Sequence, residues 1–426
     1  MDALLFALFI GLMVAGVPIA VAMGLAGATA VMVGGLGTMS IPTSVYSGLA
    51  KYPLMAIPMF VIAGLIFERA GVAERIVRFA SACVGQRRGS LAIVAVLVAM
   101  ILGGISGSGP ADSAAVGAVM LPSMIRAGYP RPFAASVIAA AGSTDILIPP
   151  SIAFVVYSVS VPGASVPALF AAGMFPGILA GLALIVPAVW LSRRRGYGQA
   201  EATLPRPPFW RSLREAIWGL AAPVLILGGM RVGWFTPTEA AAVAAVYGLL
   251  VGVVIQRTIG FSDLYEIFRD ATETSAVIMI VMALAGIFAY SVNTLGLADP
   301  LVKAVQASGI GSAGALTLLL ALLLVVGMFL DGVSIFLIFL PLLYPLMLAF
   351  QWDPVWFGVL LTMVVAIGQF TPPMAVNLLV ACRLAQVRIE STLPHVGWLV
   401  LSFVLATAAV ALFPQIALWL PRSLGY

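Results

Sequence analysis

Charge is what this chain most lacks. Asp, Glu, Lys and Arg make up 9% of its 426 residues and hydrophobic residues 62%, against about 25% charged and 45 to 50% apolar in soluble domains. With a mean hydropathy of +1.14, a soluble domain is excluded and an integral membrane protein is expected. The single histidine, His395, excludes a metal site built on a histidine cluster. The only two cysteines, Cys83 and Cys382, stand in apolar sequence, which argues against a disulfide framework and predicts buried free thiols. A basic n-region and a small-residue cleavage site are also missing: Met1-Asp2 runs directly into apolar residues. The first helix is therefore expected to be retained and not removed as a signal.

What the chain has is long apolar runs, such as Leu169 to Leu191, Thr274 to Val292 and Val355 to Val380. They reach the roughly 20 residues that an α-helix needs to cross the hydrocarbon core, and they lack the strict alternation of a transmembrane barrel strand. Five short loops, Arg69 to Arg88, Arg126 to Arg131, Arg193 to Arg214, Arg257 to Arg269 and Arg383 to Arg388, hold 17 of the 21 Lys and Arg. The other four are Lys51, Arg231, Lys303 and Arg422. Placing the loops in the cytoplasm follows the positive-inside bias. It sets the N-terminus outside and accounts for the net charge of +5 without nucleic acid as a partner.

The chain is written twice. Gly104 and Gly327, Ser108 and Asp331, Pro122 and Pro345, and Pro149-Pro150 and Pro372-Pro373 all stand 223 residues apart. Gly71-Val-Ala-Glu-Arg aligns with Gly296-Leu-Ala-Asp-Pro, and Pro18 and Pro237 open equivalent helices, proline being suited to a first helical turn. This predicts a first repeat over 1–195, a cytoplasmic linker over 196–216 and a second repeat over 217–426. Each repeat has a hairpin (about 90–126 and 313–350) followed by a broken helix (about 133–160 and 355–380). Arginine brackets only the first hairpin, so the two should enter from opposite faces, the inverted-repeat design of secondary transporters. Ile41 to Tyr52 and Phe261 to Arg269 are too polar to span and are expected to lie along the interface as amphipathic arms.

Paired Gly/Pro breaks mark the candidate site. Gly-Ile-Ser-Gly-Ser-Gly-Pro divides the first hairpin and Leu330-Asp331-Gly332 the second; Gly142 to Ser151 and Gly368 to Met374 open the helices that follow. Two consecutive prolines remove two donors and force the helix open. Such backbone at membrane depth must be buried in protein or face a watery cavity. Freed carbonyls and the hydroxyls of Ser106, Ser108, Thr144 and Thr371 suit a desolvated Na⁺. The half-helix opened by Ser108, Gly109 and Pro110 offers free N–H groups to an anion; Asp112 in its first turn, Ser151 and Asn377 complete the substrate candidates. Asp145 and Asp331 are costly at bilayer depth, and Asp331 also reads as a helix cap. Glu239 reads as a first-turn stabiliser, Trp234 and Trp352 as interfacial anchors, and His395 as a surface residue.

Phe235-Thr-Pro-Thr-Glu-Ala-Ala-Ala-Val, Gly327-Met-Phe-Leu-Asp331, Ile148-Pro-Pro-Ser151 and Gly368-Gln-Phe-Thr-Pro-Pro373 resemble the large membrane subunit of the TRAP transporters. These are the tripartite ATP-independent periplasmic carriers of C4-dicarboxylates, sialic acid and related organic acids. The resemblance covers nearly the whole chain. It implies an all-α elevator-type carrier in the bacterial inner membrane, with a scaffold and a moving transport domain. Two or more Na⁺ ions would drive uptake of a small organic anion delivered by a periplasmic substrate-binding protein. A small four-helix membrane subunit would be a separate partner chain. For the cation sites it implies Ser106, Ser108, Asp145, Ile148, Pro150, Gly332, Gly368 and Thr371. The departure is Asp145, where relatives often have glycine and the second repeat has Gly368; the extra carboxylate predicts an altered cation choice or a proton in its place.

Two other readings stand beside this one. Gly104-Ile-Ser106-Gly107 fits the Gly-x-Ser-Gly pattern of rhomboid-like intramembrane proteases, with His395 as a base, but leaves the duplication without a use. A passive anion channel leaves the matched, oppositely inserted hairpins unexplained.

Overall fold

The computed structural model describes residues 2–203 and 205–426; of the expected segments, Met1 and linker residue 204 lie outside it. Among the described residues, ten α-helices end before the linker and ten begin from Phe209 onward, the first of these starting inside the segment expected as linker over 196–216. The first ten are α1 (Asp2–Val14), α2 (Ile19–Val33), α3 (Ser40–Leu49), α4 (Ala56–Arg69), α5 (Val72–Val84), α6 (Ser90–Ser106), α7 (Gly109–Arg126), α8 (Arg131–Gly142), α9 (Ile152–Ser160) and α10 (Val166–Arg194). The second ten are α11 (Phe209–Val232), α12 (Pro237–Leu249), α13 (Phe261–Thr294), α14 (Asp299–Ala307), α15 (Gly311–Gly327), α16 (Gly332–Ala349), α17 (Pro354–Gly368), α18 (Val376–Ala385), α19 (Leu393–Leu412) and α20 (Gln415–Ser423). Among the described residues, seven helical segments are long and apolar enough to cross a membrane.

The two halves interlock. Helix α12 packs on α4, α13 on α2 and α3, α18 on α8, and α19 on α10. The centre is formed by α8 and α17, whose residues are buried nearly end to end. A helix apolar all round must sit in the core, and these two, of 12 and 15 residues, are also too short to span alone. Each stops at a glycine, Gly142 or Gly368, passes through an opened segment and restarts as α9 or α18. Both opened segments hold a cis peptide bond, Pro149-Pro150 and Pro372-Pro373.

Several sequence expectations change. Phe261 to Arg269 is not a separate arm; it is the first part of the 34-residue α13, about 51 Å long at 1.5 Å per residue, which carries its polar start beyond the hydrocarbon. Its Asp263 accepts from Gly260 N at 2.8 Å, starting the helix early. Trp352 is buried, stacked on Phe350 and donating to Ser312 Oγ at 2.8 Å, so it packs inward, while Trp234 is 72% exposed. His395 is buried against the rings of Phe133 and Tyr197. Cys382 is buried but Cys83 is exposed, because it falls on the outward face of α5. Glu239 caps α12 reciprocally with Thr236, as a first-turn residue should.

Candidate functional site

The tip of the first hairpin follows from three residues. Gly107 ends α6 with φ +61°, and a β-carbon there would lie 2.3 Å from Pro150 O, so only glycine lets the tip meet the opened segment after α8. Ser108 turns the chain extended, and α7 begins with Gly109-Pro110 at its first positions. Ser106 Oγ donates to Asp112 Oδ2 at 2.6 Å and accepts from Ser108 N at 3.3 Å, pinning the tip to the first turn of α7. In the second hairpin Asp331 caps α16: it accepts from Ser334 N at 3.2 Å and from Ser334 Oγ. Ala375 N donates to Met328 O at 3.1 Å, tying this hairpin to the segment after α17.

The two tips share one cavity of about 250 Å³. Its walls come from Gly107, Ser108, Gly109 and Pro110 on one side and Asp331, Gly332, Val333 and Ser334 on the other, with Gln369, Ile146, Ile152 and the α13 residues Val277, Ile278 and Val281 between. Two 18-residue helices, α7 and α16, begin here, and both direct their N-terminal N–H groups and a positive dipole end toward the space, Asp331 already taking up Ser334 N of α16. A smaller cavity of about 90 Å³ adjoins it through Ser108, Ile152 and Ile278 and is lined by Ser106, Asp112, Glu68 and Thr274.

Other expected residues lie behind these walls. Ser151 is fully buried; its hydroxyl donates to Ile146 O at 2.6 Å and accepts from Phe154 N at 3.4 Å, which makes it the cap of α9 and not a cavity-lining group. Thr144 and Thr371 spend their protons on Ala141 O and Ile367 O, leaving oxygen lone pairs. Pro150 O faces Gly107, Ile148 packs toward Gly177, and Gly368 sits against Gly327. Asn377 is fully buried, with its amide unpartnered beside Gly109.

Buried polar atoms without partners gather at this place. Both carboxylate oxygens of Asp145, Ser113 Oγ, Gln369 Oε1 and both amide atoms of Asn377 have no N–H or O–H partner in place, but the Asp112 carboxyl faces Asp145 at hydrogen-bonding range, so the two acids can share one proton. Asp145 is 0% exposed and interacts electrostatically with Asp112. A carboxylate buried without a donor is expensive unless a cation or a proton joins it. Around Gly109, a β-carbon would stand 2.7 Å from Gln369 Oε1, 3.0 Å from Asn377 Nδ2 and 3.1 Å from Gly142 O, so both halves of the chain meet there. Ser113, Gln369, Ser334 and Glu68 escaped the sequence reading. Gln369 stood inside a noted motif and Glu68 near the end of an apolar helix, but only the fold brings them to the tips.

The protease pattern does not assemble: Ser106 is bonded to Asp112, while His395 Nδ1 lies 3.4 Å from Arg195 Nη1.

The family model for the tripartite ATP-independent periplasmic transporter, DctM component, matches residues 6–416, and the chain belongs to that family. It is 36% identical over 99% of its length to the C4-dicarboxylate TRAP transporter large permease protein DctM of Vibrio cholerae, covering 98% of that protein. It is 34% identical to the sialic acid TRAP transporter large permease protein SiaM of the same organism, covering 98% of each chain. To the isethionate TRAP transporter permease protein DctMQ of Oleidesulfovibrio alaskensis it is 36% identical, spanning 96% of this chain but 65% of that one. These relatives are transporter permeases, and the chain is not an enzyme. Among solved structures, the YdaH transporter of Alcanivorax borkumensis superposes with a TM-score of 0.60 at 13% identity, covering 88% of this chain and 89% of that one. At that identity the likeness shows a shared fold.

Proposed function

We propose that this chain imports a small organic anion, a C4-dicarboxylate or related carboxylate, across the bacterial inner membrane in symport with two or more Na⁺. The observation that carries this reading is the cavity shared by the two hairpin tips, into which α7 and α16 both direct their N-termini. Helix N-termini bind carboxylate without arginine, and no Arg or Lys lines this cavity. The donor set beside it suits Na⁺: the buried carboxyl of Asp145 beside that of Asp112, hydroxyls of Ser106 and Thr371 and freed carbonyls of the opened segments. Among the described residues no group of three His, Cys, Asp or Glu could hold a metal, so such a site rests on neutral oxygens with few charges.

The paired hairpins and broken helices support an inverted-repeat, elevator-type carrier, with the tips moving as part of a transport domain. Family membership supports a periplasmic substrate-binding protein that delivers the anion and a small four-helix membrane subunit as partner, and the basic loops, with 17 of the 21 Lys and Arg, support a periplasmic N-terminus. Reconstituted in liposomes with both partners, the chain should accumulate substrate under an inward Na⁺ gradient. Equal uptake without the gradient, or without the binding protein, would refute this reading.

A further inference from the structure

Three cavities follow α13 along its length. Thr274 and Ile278 line the smallest, Val277, Ile278 and Val281 the one between the tips, and Met282, Gly286 and Asn293 a third of about 190 Å³. From Ile278 to Asn293 is about 22 Å at 1.5 Å per residue, so the third cavity lies toward the face that the basic loops assign to the periplasm. Its other walls come from α16, through Phe336 and Tyr344, from the end of α9, through Ser160, and from the exposed Lys51.

Glycines put Lys51 there. A β-carbon on Gly286 would stand 2.5 Å from Ser44 O and 3.3 Å from Gly48 Cα, so α3 crosses α13 in near backbone contact and its outgoing loop is held over the cavity. Lys51 Nζ donates to Val159 O at 2.9 Å, one of the last carbonyls of α9, where the negative dipole end attracts a cation. No Asp or Glu lines the cavity, so the ammonium meets a carbonyl but no counter-charge. Burial lowers its pKa, as expected for a cation drawn partly out of water. Asn293 and Tyr344 add neutral donors, while Ser160 Oγ donates to Val156 O at 3.0 Å and offers only its lone pairs. At about 190 Å³ the cavity has room for a small carboxylate or sulfonate.

We propose that this third cavity is an outer anion-binding vestibule, in which Lys51 exchanges the Val159 carbonyl for a carboxylate or sulfonate of the substrate before that anion reaches the hairpin tips.

The inference rests on the transport reading, and the experiment separates the two. In a Cys83→Ser background, Ser160→Cys places a reporter thiol in the cavity. Its reaction from the periplasmic side with anionic 2-sulfonatoethyl methanethiosulfonate is compared with that of the neutral methyl reagent. Lys51 should favour the anionic reagent several-fold; Lys51→Met should abolish the preference and Lys51→Arg restore it. No reaction from that side, or a ratio indifferent to Lys51→Met, overturns the vestibule. Uptake of succinate, isethionate and sialic acid is then measured under a Na⁺ gradient. For whichever is transported, Lys51→Met should raise KM about ten-fold with kcat kept, the loss of one charge-assisted contact; an unchanged KM also overturns the proposal. If the Ser160→Cys reporter with Lys51 intact labels as expected but the wild type takes up none of the three, the transport reading fails while the vestibule stands.

Discussion

Asp145 fills the space that a side chain on Gly103 would need: a β-carbon on Gly103 would stand 2.6 Å from Asp145 Cα and 3.1 Å from its Oδ1. The second half has a matching close contact between glycines, since a β-carbon on Gly368 would stand 2.5 Å from the carbonyl carbon and oxygen of Gly327. Asp145 and Gly368 are themselves 223 residues apart. In both places a hairpin arm is pressed against an opened helix with no room between.

Gly103→Ala and Gly368→Ala should therefore each destabilise the chain by about 1–3 kcal/mol through overpacking, because the obstructing atoms are backbone and cannot rotate away. Gly228→Ala is the control, with nothing within 4 Å of its β-carbon. Thermal unfolding in detergent reads the result. Equal midpoints for all three variants would show that the hairpins are not packed this closely.

Asp145 should act through its charge. Asp145→Asn is expected to raise the Na⁺ concentration for half-maximal uptake about ten-fold, as the loss of one charged ligand would. Asp145→Gly, which leaves the carbonyl and removes the buried carboxyl, should keep Na⁺-driven uptake with a changed preference among small cations. Wild-type Na⁺ dependence in both variants would leave the site to carbonyls and hydroxyls alone.

At Asp331 the cap and the cation site can be separated. Asp331→Ala removes the acceptor for Ser334 N and should cost about 0.5–2 kcal/mol. Asp331→Ser keeps a capping oxygen without the charge; it should recover the stability but not the cation affinity. Recovery of both would make Asp331 a cap only.

Glu201, in the linker, is fastened to the base of the first hairpin. Its carboxylate accepts from Ser90 N at 3.2 Å, Leu91 N at 3.0 Å and Tyr129 OH at 2.5 Å, and it is 2% exposed. It thus caps α6 from 110 residues away. Burial raises its pKa despite these donors, and the carboxylate in turn helps burial to raise that of Tyr129. A carboxyl raised on folding binds more protons in the native state. Its contribution is fully present below the unfolded value, near 4.5, and is lost as pH rises through the native one. Linker docking, followed by unfolding midpoints across that window, should weaken with rising pH in the wild type and change less in Glu201→Gln. An identical slope in the variant would place the titration elsewhere.

Much of the architecture is local chemistry and was readable as such. Long apolar runs without alternation demand helices in a membrane, because backbone groups there must satisfy one another. Glycine and proline then set the helix ends at Ser106, Gly142, Gly327 and Gly368, since a missing N–H or a left-handed φ acts within one turn. The capping roles of Asp331 and Glu239 follow from the same short range. What the tertiary structure decided is which ends meet. No spacing in the sequence puts Gln369 and Asn377 beside Gly109, Glu201 on α6, or Lys51 over α13; those contacts join residues 110 to more than 250 positions apart and depend on how the halves interlock. The same cause moved His395 and Trp352 inward. Apolar helices present similar faces to lipid and to one another, so composition cannot tell an anchor at the interface from a ring buried between helices.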